Sequence, residues 1–502
     1  MNRHRVERIF PAFTVDHKGE LKENSPLSPM LEENRAMLER VFSGDGTYIC
    51  RSFSSSKGNS FFAAYFDGLV NNIVVYESVL RPIMELALPL TRFDELSDRV
   101  VVNTETAILS TAKDCFDAMM MGDCIVFADG FPFALGANTK GFPVRATEEP
   151  PSEKSLNGPR EGFTESVMMN VALVHRKLKT VDFRAEPMTF GTRTQNRAFL
   201  CYLDSIARPE LLEEVKARLS AVSMDVVLDV NYLVEQISDH RLSLFRTVGT
   251  TQRPDVVAAG LLEGRIALIL DGTPVVLQVP YLFVESFQSP EDYYQSFWIA
   301  SLGRVFRILC YILTLAVPAV FVALVSYHQE LLPTDLALSV ARARVGVPFP
   351  VAVECFLMIA IFEILREASR RLPDSVAQAL SIVGAIVLGD AAVSARFIGS
   401  TTLIVVAFAG ITGLMSPKLE NSVVFLRVYL LILASFLGLY GVLFGVLSIV
   451  LSLMLMKSFG ISYLSYWFSP IPQAQKDALI RAPWWLMRIR PSASSRDSVR
   501  RE

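Results

Sequence analysis

The sequence predicts a tandem-repeat α/β soluble region followed by an all-α polytopic transmembrane domain. Three observations carry this reading. The chain has 502 residues, more than one hydrophobic core usually organises. It is 51% hydrophobic with a mean hydropathy of +0.36, and its apolar residues concentrate after position 300, in runs such as Leu309–Ser326 and Val423–Met456. The part before position 300 contains an internal repeat, the feature that most constrains architecture.

Residues 1–45 are polar and interrupted by Pro26 and Pro29, and are expected to form a flexible lead-in or a loosely packed helix. Two matches define the repeat that follows. Tyr65-Phe66-Asp67-Gly68-Leu69-Val70 parallels Tyr202-Leu203-Asp204-Ser205-Ile206-Ala207 at an offset of 137 residues. The stretch from Gly122 to Asp129-Gly130 parallels the stretch from Gly264 to Asp271-Gly272 at an offset of 142. Each unit reads as strand, helix, helix and then a β-hairpin whose Asp-Gly turn supplies positive φ. The units are placed at 46–150 and 151–295, with the Pro-, Glu- and Ser-rich stretch Arg145–Pro159 as the seam.

Apolar segments near 304–326, 350–365, 378–397, 400–416 and 423–456 assign 296–470 to the bilayer, where a span needs about 20 residues. The last segment would be roughly 50 Å long as one helix, so it is either strongly tilted or a pair of short spans. The segments 378–397 and 400–416 fit a tight or re-entrant hairpin. From Lys476 to Glu502 the tail has seven Lys/Arg against three acids, and Arg366, Arg370 and Arg371 follow the second segment, so both places read as cytoplasmic. The start carries no secretory signal, which puts the soluble region on the same side and makes the number of crossings even, four or six. Trp298 and the pair Trp484-Trp485 are expected at the headgroup level, the latter anchoring the tail at 471–502.

Composition narrows the chemistry. Six cysteines without CxxC spacing read as small buried hydrophobes, and a net charge of −3 gives no reason to expect nucleic acid. No nucleophile elbow, P-loop or HExxH motif is present, and the histidines are not spaced as ligands, so neither an enzyme nor a metal or cofactor is expected. Asp129 and Asp271 read as turn residues rather than acid catalysts. Gly158–Phe163 is open to two readings: an anion-binding loop before a helix N-terminus with Arg160 as its fork, or a plain turn in which Arg160 pairs with a carboxylate. In the membrane half, ionisable residues are the informative ones, because charge at bilayer depth is costly. Glu354, Glu363, Arg366 and Asp390 are the candidates. Glu363, Arg366, Glu367 and Arg370 form one helical stripe, whereas Glu354, nine residues before Glu363, faces the other way. The 350–371 helix either lines a conduction path or forms an interfacial salt-bridge ladder.

Several motifs in one order complete the reading: Gly158-Pro159-Arg160-Glu161-Gly162-Phe163, Arg253-Pro254-Asp255, Leu261-Leu262-Glu263-Gly264-Arg265, Asp271-Gly272-Thr273-Pro274, Glu291-Asp292-Tyr293-Tyr294, His328-Gln329-Glu330-Leu331-Leu332-Pro333-Thr334, Gly346-Val347-Pro348-Phe349-Pro350 and Ala482-Pro483-Trp484-Trp485. Together they resemble the A subunit of GerA-type spore germinant receptors. Asn157, Gln252 and Asp390 depart from the family pattern, which has Arg, Glu and Gln there. The resemblance implies a component of a multi-subunit complex in the spore inner membrane, beside a transporter-like B subunit and a lipoprotein C subunit. It implies an oligomer of A subunits that releases ions in response to nutrients. On that reading Glu354, Glu363, Arg366 and Asp390 are pore or gating candidates. Arg160, Glu161, Arg253, Asp255, Glu263 and Arg265 are interdomain or partner contacts. The rival expectation is a non-conducting scaffold that recruits other germination proteins.

Overall fold

A computed structural model describes residues 26–87, 90, 92–103, 105–141, 150, 153, 157–373, 376, 389–465, 477–487, 489–490 and 495–496. The first unit comprises helix α1 (Leu31–Val41), strands β1 (Tyr48–Ser54) and β2 (Ser60–Phe66), a helical stretch over 72–84, strand β3 (Thr106–Leu109), helix α2 (Ala112–Met120), and strands β4 (Asp123–Ala128) and β5 (Ala134–Asn138), besides shorter turns. The second repeats it with α3 (Val167–Lys177), β6 (Phe183–Phe190), β7 (Asn196–Leu203), α4 (Pro209–Ser220), α5 (Val230–Ile237), β8 (Gly249–Thr251), α6 (Pro254–Leu262), β9 (Ile266–Leu270) and β10 (Val276–Val279).

The two sheets have the same strand order, β1-β2-β4-β5-β3 and β6-β7-β9-β10-β8. Ala63 pairs with Val126 in the first and Leu200 with Leu268 in the second, and the offsets of 137 and 142 map one pair onto the other. Every pairing within these sheets is antiparallel, so the units stack helices on antiparallel sheets without parallel crossovers. Their central strands are apolar at nearly every position because both faces are covered. Ile266, Leu268 and Leu270 face the core beneath α4 and α5, while Ala267 and Ile269 face the one beneath α3 and α6.

The Asp-Gly turns hold as expected, with Gly130 at φ 86° and Gly272 at φ 85°. They also tie each hairpin to the segment before its unit: Gly130 N–H donates to Pro29 O and Gly272 N–H to Glu165 O. Each repeat therefore begins with a helix; in the second unit it is α3, inside the expected bounds of 151–295. In the first unit that helix is α1, within residues 1–45, the stretch expected to form a flexible lead-in or a loosely packed helix. Leu38, Val41 and Phe42 are buried against Phe62 and Phe66, which orders it.

The units pack directly on one another. Gly46 N–H donates to Ala185 O, and Arg184 Nη2 reaches Val41 O at 2.8 Å. Gly68, at φ 87°, lies so close to α3 that a Cβ would stand 3.2 Å from Met168 O. His175 of α3 lies in this seam, its ring centroid 5.0 Å from Phe66 and 5.1 Å from Phe183. Neither ring nitrogen has a partner among the described residues, and burial pushes the imidazole down to about 4. Because the folded value lies below the unfolded one, this contribution to stability is complete above pH 6.5 and is lost as pH falls towards 4, by about 3 kcal/mol in all. His175→Leu is expected to raise the thermal midpoint of the purified chain and to flatten its fall between pH 7 and pH 4.5. A parallel fall in both proteins would show that His175 does not titrate in the fold.

The helical part comprises α7 (Phe297–Tyr327), α8 (Thr334–Ala343), α9 (Val351–Arg371), α10 (Gly389–Ser394), α11 (Ser400–Gly413) and α12 (Glu420–Leu455). Of the two geometries open for the last apolar segment, the pair of short helices is the one observed. At Gly438 the backbone leaves helical geometry (φ 60°, ψ −139°), and α12 folds back on itself. Tyr429 Oη and Ser448 Oγ are 2.9 Å apart, whereas in a straight helix 19 residues would separate them by about 28 Å. Both ends of α12 return to one loop: Ser422 donates to Leu244 O, and Ser243 Oγ lies 3.5 Å from Met456 Sδ.

Two levels organise the bundle. At the near level, beside the second unit, Ser416 donates to Arg307 O and Arg366 meets Glu420. At the far level Tyr327 reaches Ser435 O, Phe349 stacks on Phe397, and Glu354 meets Gly399. Helices α7, α9 and α11 and both arms of α12 run between them. Of the segment 378–397, residues 377–388 lie outside the described residues. Two helical stretches, Phe297–Tyr327 and Pro417–Leu455, are long and apolar enough to cross a membrane, and less than half of each apolar window is buried. A helix in the core of a water-soluble protein would bury that surface.

Candidate functional site

Glu354 is fully buried, and both of its carboxylate oxygens have partners. Oε2 accepts from Gly399 N–H at 2.8 Å and Thr402 Oγ1 at 3.0 Å, and Oε1 stands 3.3 Å from Arg344 Nη2. It therefore acts as a cap supplied in trans to the N-terminus of α11, where a negative charge is favoured. On the other side of α9, Glu363 pairs with Arg366 and with Arg427 of α12. Arg366 Nη1 continues to Glu420 at 3.0 Å, which Arg370 also contacts. The alternating charges close a network between α9 and the first arm of α12. Glu367, next on the stripe, pairs with Arg371 on the exposed face. Asp390, in α10, is exposed and has no hydrogen bond or ion pair among the described residues. The structure thus brings Glu363 and Arg366 together, puts Glu354 in a separate cluster and leaves Asp390 apart. Sequence reasoning passed over Arg427, although a lone arginine in the 423–456 run was signal enough.

The junction of the soluble and helical parts is equally polar inside. Arg253 is fully buried and doubly bonded to Asp255, Nε–Oδ1 at 3.1 Å and Nη2–Oδ2 at 2.8 Å. Nη2 also donates to Pro159 O at 2.8 Å, and Tyr294 Oη donates to Asp255 at 2.7 Å. Gly158, at φ 100°, lies beneath the Tyr294 ring, where a Cβ would clash at 2.4 Å. Three motifs separate in sequence, at 158–159, 253–255 and 292–294, therefore meet in one clip. Glu161 binds Arg176 and Lys177. Burial alone would raise its carboxyl, but these cations hold it below the usual range. Arg160 is exposed and has no ion pair among the described residues. The N-terminus of α3 already holds a carboxylate, Asp271 Oδ1 accepting from Val167 N–H at 3.0 Å, which disfavours an anion there.

Arg265 bridges Glu263, at 3.3 Å, and buried Glu285. Beyond it, Arg304 in the second turn of α7 is fully buried. Its Nε donates to Asp292 at 2.8 Å, its Nη1 to Asp477 at 2.7 Å, and its guanidinium lies 5.5 Å from the Tyr293 ring centroid. Arg307 adds a second cation on Asp292, and Tyr293 Oη donates to Asp477 at 2.8 Å. Arg304, Arg307 and Asp477 were absent from the sequence candidates. The cue for the arginines was their three-residue spacing at the head of a long apolar helix, but Asp477 sits in a stretch read only for its positive charge. Trp298, Trp484 and Trp485, three of the chain's four tryptophans, are exposed side by side here, with Trp485 5.9 Å from Phe297.

Fold and junction define a class: two repeated soluble units locked by buried ion pairs onto a helical bundle with exposed apolar faces. The family described as Bacillus/Clostridium GerA spore germination protein matches residues 36–493. The chain is 38% identical to the uncharacterized membrane protein YfkQ of Bacillus subtilis (strain 168), over 95% of this chain and 94% of that one. It is 37% identical to spore germination protein KA of the same organism (94% and 88%) and 33% identical to spore germination protein GerLA of Bacillus cereus (84% and 87%). Among solved structures, the N-terminal domain of the A subunit of the Bacillus megaterium spore germinant receptor GerK3 is similar at 27% identity, over 52% of this chain and 99% of that one, with a TM-score of 0.40. The chain belongs to the GerA family of spore germination proteins.

Proposed function

We propose that this chain is the A subunit of a nutrient germinant receptor, a multi-pass membrane protein that works beside B and C subunits and conducts ions as an oligomer. The observation that carries this reading is the buried ion-pair cluster that ties Asp292, just beyond the second soluble unit, and Asp477 to Arg304 at the head of α7, a rigid link by which a partner's rearrangement would reach the bundle. A gating signal needs contacts that differ between closed and open states, and junction and bundle are the elements it would bias. The exposed apolar faces of α7, α11 and α12 support contact with lipid or neighbouring copies. The tail returns to the soluble region, Arg496 N–H donating to Ile206 O, which supports an even number of crossings with both on one side. The pore assignment narrows: Glu354 and Glu363 are neutralised within the chain and act as locks, and Asp390 is the carboxylate we assign to the ion path.

Nutrient-dependent cation flux is expected from liposomes holding the chain with its B and C subunits. Asp390→Asn is expected to cut that flux several-fold while the complex still assembles. Unchanged flux in Asp390→Asn would remove this residue from the path. Silence of the verified wild-type complex would favour the scaffold.

A further inference from the structure

A cleft of about 980 Å³ opens between the loop 239–245 of the second unit and the near-level mouth of the α12 fold-back. Its floor is apolar: Phe425 and Leu455 are 61% and 70% exposed, with Ile449 between the two arms. Its rim carries an exposed arginine. Asp239 is occupied, Oδ1 with Arg218 at 2.6 Å and Oδ2 with Phe459 N–H at 2.6 Å, which fixes the loop, and Arg218 also binds Glu214. Exposed Arg241 uses Nη2 on Gln236 O at 3.1 Å and meets no carboxylate among the described residues. His240, its neighbour in the chain, is exposed and also lines the cleft. At the loop tip Leu242 is 100% exposed, an apolar side chain next to a guanidinium. The exposed tryptophans beside α7 also mark the near level as the headgroup level.

We propose that this cleft holds one anionic phospholipid of the leaflet facing the soluble region, with its phosphate at Arg241 and an acyl chain along Phe425 and Leu455. The proposal rests on the membrane reading above. Charge complementarity selects the occupant: a zwitterionic headgroup brings its own cation up to the Arg241 guanidinium, whereas an anionic one does not. The apolar floor continues into the exposed outer face of α12, so a chain bound there need not leave the hydrocarbon. By holding the loop 239–245 against both arms of α12, the lipid would join the second unit to the fold-back.

The test is native mass spectrometry of the purified full-length chain in detergent, titrated with phosphatidylglycerol or phosphatidylcholine. One phosphatidylglycerol is expected to be retained per chain, with at least fivefold preference over phosphatidylcholine, since one cation near an anionic surface contributes about that factor. Arg241→Gln should abolish the preference, Ser452→Phe should reduce retention of both lipids by filling the floor, and millimolar inorganic phosphate should not compete. Equal retention of the two lipids by the wild type, or an undiminished preference in Arg241→Gln, would overturn the proposal. So would a photo-crosslinker at position 242 that labels only polypeptide in reconstituted membranes. Release of the chain from membranes by alkaline carbonate would refute the membrane reading instead, and the detergent titration would still decide the cleft.

Discussion

Arg304→Gln is expected to release the C-terminal segment from the junction and to destabilise it by about 3–5 kcal/mol, the cost of removing one partner from a buried ion pair. Arg304 is fully buried and is the residue that binds both Asp292 and Asp477 through its guanidinium. A glutamine leaves Asp477 without its cation and Asp292 with Arg307 alone. The check is limited trypsin cleavage at Arg481, itself buried in the wild type, together with the thermal midpoint in detergent. Cleavage at Arg481 should become fast and the midpoint should drop by several degrees. Arg304→Lys should fall in between, because a lysine keeps the charge but lacks the fork that spans two carboxylates. Wild-type protection in Arg304→Gln would mean that other contacts hold the junction.

Glu354→Ala is the second large effect. It strips the cap from α11, leaves Gly399 N–H and Thr402 Oγ1 without their acceptor, and strands Arg344 beside a buried cavity. A loss of several kcal/mol is expected, read as aggregation or a low yield of monodisperse complex in size-exclusion chromatography. Glu354→Gln should be milder, because its amide oxygen can still accept from Gly399 while the attraction to Arg344 is lost. The signature of a lock is that assembly fails before ion selectivity changes. A Glu354→Gln complex that assembles at wild-type yield but conducts with altered selectivity would return Glu354 to the pore.

The two assignments show where sequence reading reaches and where it stops. Glu354 and Glu363 stood out because a carboxylate in an apolar run is unusual, and helical periodicity put them on opposite sides of one helix, facing α11 and α12 respectively. That they are occupied internally depends on Gly399, Thr402 and Arg427, which lie 45, 48 and 64 residues further on than the carboxylates they meet. No local pattern encodes those distances. Similarly, Arg253-Pro254-Asp255 and Tyr293-Tyr294 were visible as motifs, but the meeting of Arg253, Asp255 and Tyr294 at Gly158-Pro159 was not.

By itself the sequence determined the division into soluble and apolar parts, the repeat with its two offsets, the Asp-Gly turns and the family resemblance. These rest on composition, period and short-range turn chemistry, which act within a few residues and leave a linear trace. The tertiary structure alone decided which charges neutralise one another, that α12 folds back at Gly438, that α1 belongs to the first core, and that Asp477 closes the junction. Those outcomes depend on burial: a charged or polar group removed from water must find a partner wherever the chain brings one, and that partner's place in the sequence is set by packing of the whole.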